Sequence, residues 1–274
     1  MPLKALPERP KFVFCATNMV FGVNWEFTRD SMGDYLTGYC PPPKEWTVGR
    51  AVAASSCFPP VFQPLPVELP ANQFRGGDYR GADRDRIVAR ANLTDGGVYD
   101  NMGLEPVWKS HAVVLVSDAG GLFTQDSDHG LLWRIPRYQA IQERQARSLR
   151  KRWLIASFSQ GTLDGTYWGV GSSPSHYEEA GLSFPGYSKD LAREVIAEIR
   201  TDLDAFSDAE AAVLENHGYL LTDAALRRHV PMLLPDPVPP ATVPHPDWFP
   251  PARNEDAIRA ALKDSGKRKV WGRG

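Results

Sequence analysis

The chain lacks a long apolar run, holds little cysteine and carries almost no net charge, and each shortage closes off a class of protein. No window approaches 18 uninterrupted apolar residues, so no transmembrane helix is expected. The opening MPLKALPERPKF has no apolar core of the kind a secretory signal needs. Its three cysteines, Cys15, Cys40 and Cys57, fit neither a C-x-x-C motif nor a zinc-ligand spacing. A reducing compartment is expected, with a disulfide between two of them left open. The six histidines are scattered, without an H-x-x-x-H pair, so no metal site is expected. A formal net charge of -2 gives no electrostatic footprint for nucleic acid. These exclusions together predict a cytoplasmic protein, with peripheral contact at membranes still compatible.

What is present suits a globular chain. Hydrophobic residues make up 42% of the 274, enough for a sizeable core. KFVFCAT (11–17) reads as a strand behind prolines. WTVGRAVAASSC (46–57) reads as a short helix with Thr47 as N-cap and with Val48, Val52 and Ser55 or Ser56 on one side. VFQPLPVEL, broken by proline, suits a sheet edge, and the polar stretch 72–86 suits a loop. HAVVLVSDAGG reads as a strand buried on both faces of a parallel sheet, with Asp118 at its carboxyl end, where open α/β sheets place ligands. A loop-capping carboxylate is the plainer role for Asp118.

Residues 135–153 are helical in pattern and rich in arginine, and such a helix can approach anionic lipid headgroups. RWLIASFSQGTLDGTYWGVG returns to strands. A helix is predicted across 188–206, and SDAE at 207–210 opens another that stops at Gly218, with a third after Thr222. Nine of the twenty-one residues from Pro231 to Pro251 are proline, which predicts an extended strap, followed by a basic end. The order of elements predicts an α/β class, with one domain over 1–230 and a strap and tail over 231–274.

The stretch NLTDGGVYDNMGL (92–104) places Asp95 before Gly96 and Gly97. Alone it reads as a tight hairpin turn, because Asp and Gly both tolerate positive φ. Other segments accompany it in order: FVFCATNMVFG with WEF, then AVAASSCFPPVFQP carrying Ala54, Ser55 and Pro59, and later IRTDLDAFSDAEAAVLENHGY. Together they resemble the C-terminal part of bacterial patatin-like phospholipases, over about residues 10–228.

The resemblance implies an incomplete three-layer α/β/α patatin-like fold with a mainly parallel central sheet. It implies a lipid acyl hydrolase working through a Ser–Asp dyad, without metal or organic cofactor, on phospholipids or other acyl esters. Asp95 would be the general base, Gly96 and Gly97 would shape its turn, and Asp100 and Asn101 would help hold the loop. An aspartate in hydrogen-bond reach of a serine can take its proton without a histidine. The family's nucleophile elbow, G-x-S-x-G, and its glycine-rich oxyanion loop are absent from the sequence. The nearest imitations, SFSQG at Ser159 and GVGSSPS at Ser172, follow the aspartate and lack the full motif. No nucleophile is therefore assigned, and the chain alone is expected to be inactive. Three accounts stay open: a start inside a longer hydrolase, a separate serine-bearing partner chain, and a non-catalytic interaction protein.

Overall fold

The structure, a computed structural model, describes residues 1–59, 61–120, 130–200 and 205–263. The expected turns of helix across 201–204, the basic end 266–274 and Pro60 lie outside the described residues. The chain divides into two compact units, 1–111 and 112–274.

The first unit is built on β1 (Phe14–Asn18), β2 (Val23–Phe27), β3 (Met32–Asp34) and β4 (Gly38–Cys40), followed by α1 (Val48–Ser55), β5 (Leu65–Glu68), α2 (Arg84–Val88), β6 (Arg90–Asp95) and the single turn α3 (Gly97–Asp100). Its six strands form one sheet in the order β4-β3-β2-β1-β6-β5, and every pairing is antiparallel. This overturns the expected mainly parallel central sheet of a three-layer α/β/α fold. For β1 to β4 the reason is local. Segments 19–22, 28–31 and 35–37 join consecutive strands, and such short links permit hairpins but no parallel crossover, which takes a dozen or more residues.

Alternation along the strands sorts their side chains onto two faces. Ala16, Trp25 and Leu93 share one face, and they pack with Ala51 and Ala54 of α1 in a core that also holds Phe27, Met32 and Trp46. Full burial of a side chain of the Phe or Met class contributes about 1.5–3 kcal/mol. Thr47 does cap α1, its hydroxyl accepting from the Arg50 amide at 3.1 Å. The buried side of that helix is lined by alanines rather than by Val52, which is 45% exposed. β5 lies at the sheet edge as expected, its Pro66 among the residues paired with β6. All three cysteines are free.

The second unit contains β7 (Val113–Asp118), α4 (Leu131–Ser159), β8 (Asp164–Gly169), α5 (Lys189–Glu194), α6 (Asp208–His229) and α7 (Glu255–Leu262). β7 and β8 pair in parallel. β7 is buried on one face only: Val114 and Val116 point inward while Leu115 is 43% exposed. α4 continues through the stretch read as strand after residue 153, because Leu154 and Ser157 on successive turns are buried. α6 runs unbroken past Gly218. A glycine inside a helix costs only about 1 kcal/mol, and the buried side chains of Leu220, Leu221, Ala224 and Ala225 offset it.

The capping box that opens α6 is formed, with the Ser207 amide donating to Glu210 and the Glu210 amide to the Ser207 hydroxyl. The same Glu210 pairs with Arg200, both groups being buried. The proline-rich strap lies along α6. The Asn216 amide group donates to the His245 carbonyl at 2.8 Å and accepts from the His245 N–H at 2.7 Å. The Tyr187 hydroxyl donates to the Trp248 carbonyl at 2.7 Å. α7 is tied to the start of α5 by Ser188, whose hydroxyl and amide both donate to Glu255. No helix among the described residues is long and apolar enough to cross a membrane.

Glu210 serves a cap and a buried charge at once. Glu210→Ala is therefore expected to cost about 3–5 kcal/mol, the range for leaving one partner of a buried pair uncompensated. Urea unfolding monitored by circular dichroism measures it, with Ser207→Ala as a milder comparison at about 1 kcal/mol.

Candidate functional site

Asp95 is the last residue of β6, and Gly96 and Gly97 lead directly into α3. The hairpin reading does not hold, since neither glycine has positive φ and Gly96 is helical at φ -63°. The glycines are required by contact instead. A Cβ on Gly96 would lie 2.5 Å from the Cys15 carbonyl oxygen, and one on Gly97 would lie 2.7 Å from Asn101 Oδ1 and 3.0 Å from Asp95 Oδ1. Gly96 thus lets the turn press against β1, and Gly97 leaves room for the carboxylate.

Main-chain bonds fix the end of α1 to this turn. The Gly96 amide donates to the Ser55 carbonyl at 3.0 Å, and the Asp95 amide donates to the Cys57 carbonyl at 3.1 Å. The buried Thr94 hydroxyl donates to that Cys57 carbonyl at 2.9 Å. From β1, the Thr17 hydroxyl donates to the Asp95 carbonyl at 2.7 Å and accepts from the Tyr99 amide at 3.1 Å. Asp95 lies two residues beyond Leu93 along β6, so its side chain leaves the sheet on the face that α1 covers.

Among the described residues the Asp95 carboxylate accepts one hydrogen bond, from the Gly97 amide to Oδ1 at 2.7 Å. Burial pushes its pKa above the ordinary carboxylate range, and the Gly97 bond only partly opposes this. It lines a cleft of about 550 Å³ together with Lys11, Cys15, Ser55, Asn101 and Val107. Burial, the largest influence, lifts the Cys15 thiol there to about 11, away from the thiolate form. The buried Asp100 carboxylate accepts from the amides of Met102, Leu104 and Glu105 and holds the loop that walls the cleft. Asn101 is exposed at the rim.

No serine hydroxyl donates to Asp95 among the described residues. Ser55 shares its cleft, a placement that neither its helical position nor its motif in the sequence indicates. Lys11 and Val107 carry no pattern that could have announced them, being brought to the cleft by the start of β1 and by the loop that Asp100 folds. Ser159 and Ser172 belong to the second unit. There Ser159 lines a cavity of about 240 Å³ with Leu163, Tyr167 and His229.

Asp118 is engaged in structure. Its carboxylate accepts from Arg147 Nε at 3.1 Å and Nη2 at 2.6 Å, from the Tyr167 hydroxyl at 2.6 Å and from the Gly120 amide at 3.0 Å. Burial first, then this bond to Asp118, pushes the Tyr167 hydroxyl pKa up. Among the described residues no group of three or more His, Cys, Asp or Glu side chains is placed to hold a metal ion.

No family model matches the chain, nor does any curated protein or solved structure.

Two outcomes follow from the geometry. Gly96→Ala is expected to destabilise the first unit by about 1–3 kcal/mol, the usual cost of forcing extra volume into a packed site, measured by thermal unfolding. The second concerns pH. A carboxyl whose pKa is higher folded than unfolded favours the native state when protonated, and that advantage disappears as pH rises through the folded value. Asp95→Asn should therefore melt above the parent protein at pH 7. The gap should close as pH falls through the ordinary carboxylate range.

Proposed function

We propose that this chain carries the aspartate half of a Ser–Asp acyl-hydrolase site acting on phospholipids or other acylated lipids. The carrying observation is Asp95: a carboxylate of raised pKa, on a rigidly braced turn, lining a cleft, with one oxygen unbonded among the described residues. In this reading Asp95 takes the proton of a serine hydroxyl as the serine oxygen attacks the ester carbonyl. It returns that proton to the departing alcohol, and water then releases the acyl group by the reverse sequence. A raised pKa brings the carboxyl nearer the pH at which it must both accept and donate. The ordered motifs around Asp95 support the lipid-ester class through their resemblance to patatin-like phospholipases. With G-x-S-x-G missing, the reading looks for the serine outside this sequence, either upstream in a longer chain or on a second polypeptide that docks at the cleft.

The test is labelling by a fluorophosphonate, read by intact mass. The chain alone is expected to gain no adduct. A polypeptide that co-purifies with it should be labelled at one serine, and Asp95→Asn should slow that labelling by about 10²-fold or more, the contribution of a positioned base. An adduct on this chain that requires Asp95 would refute the half-site. A partner labelled equally well with Asp95→Asn would refute the role of Asp95.

A further inference from the structure

α4 exposes an apolar stripe on a cationic helix, and the site around Asp95 does not use it. Ile135 (63% exposed), Tyr138 (62%), Ile141 (40%), Leu149 (60%) and Trp153 (42%) all stand in solvent. At 3.6 residues per turn these five fall within an arc of about 120°, along about 27 Å of helix. The opposite side holds the helix to its unit. Leu154 is fully buried there, Arg147 pairs with Asp118, and Lys151 lies over the Tyr167 ring at 4.2 Å. The stripe is therefore not the anchoring face.

The charge of the helix identifies what it fits. Leu131–Ser159 contains seven cationic side chains, Arg134, Arg137, Arg144, Arg147, Arg150, Lys151 and Arg152, against the single acid Glu143. By helical angle Arg134 and Arg152 fall inside the apolar arc, while Arg144 and Arg150 fall about 60° beyond its two edges. With Arg147 neutralised by Asp118, the helix still carries a formal charge of five, six cations minus Glu143, in a chain of net charge -2. Large apolar and aromatic side chains interleaved with arginines on a long helix of low mean hydropathy match an anionic bilayer surface. The apolar groups enter the acyl boundary and the guanidinium groups meet the phosphates. Nucleic acid would use the arginines but gain nothing from Ile135, Ile141 and Leu149.

We infer that α4 is a membrane-surface helix, lying in the interface plane of an anionic bilayer with the Ile135–Trp153 stripe downward. The inference does not depend on Asp95 being a catalytic base. It would give this chain a lipid-facing surface whether or not a serine partner exists.

Co-sedimentation of the full chain with vesicles tests it. Vesicles of phosphatidylglycerol and phosphatidylcholine at about 1:2 should take the protein down, pure phosphatidylcholine should not, and salt should weaken the binding. Leu149→Ser with Trp153→Ser should reduce binding by about tenfold or more. Arg152→Gln should reduce it about fivefold and flatten the salt dependence. Circular dichroism melts confirm that these exposed substitutions leave the fold intact. Failure to sediment with the anionic vesicles overturns the inference, as does binding that survives Leu149→Ser with Trp153→Ser. A concentration-dependent dimer abolished by those two substitutions, without vesicle binding, would assign the stripe to a second copy of the chain instead.

Discussion

The first unit depends on the fastening of the end of α1 to the end of β6. Three hydrogen bonds make the joint: Gly96 amide to Ser55 carbonyl, and the Asp95 amide and Thr94 hydroxyl to the Cys57 carbonyl. They can form because Gly96 has no side chain to meet the Cys15 carbonyl. Release that contact and α1 loses its register over Ala16 and Leu93, so the core and the cleft would change together. Asp95 inherits its position from this joint. Its backbone is held on both sides, from Cys57 through the amide and from Thr17 through the carbonyl. The side chain is consequently placed with little conformational freedom left to lose.

The partial burial of Asp95 is in tension with stability. A carboxyl raised in pKa by desolvation weakens the folded state near neutrality. Asp100, five residues on, shows the contrasting arrangement: three backbone amides converge on it and make it part of the scaffold. Two carboxyls in one turn are thus separated by environment, one saturated and one reserved. That division is the physical basis for treating Asp95 as a candidate base, and Asp118, occupied by Arg147 and Tyr167, as structure.

Features set by short-range chemistry were readable in the sequence. Thr47 as a cap and SDAE at 207–210 as a helix start are legible from residue type and spacing, and the capping hydrogen bonds are there. The proline-broken edge strand β5 was equally visible. The strand direction was not, because it depends on connection length: the links at 19–22, 28–31 and 35–37 are too short for a parallel crossover. The stop at Gly218 failed for a related reason, since buried Leu220 and Leu221 outweigh a local propensity. At the site, Asp95 and its glycines stood out, but the reason for the glycines lay in a contact with Cys15, eighty residues away in sequence. Lys11 and Val107 join the cleft only through tertiary placement, which no local pattern encodes.

The proline strap has a topological consequence. Its segment between Leu234 and Pro244 is largely exposed, while the flanks are secured separately: Val230 is buried before it, and His245, Trp248 and Glu255 are bonded to Asn216, Tyr187 and Ser188 after it. The part of the chain beyond the strap is thus held by side-chain and backbone contacts that do not need the intervening peptide bonds. The strap is where the backbone could be opened, and new termini made, while α7 stayed docked on its own unit.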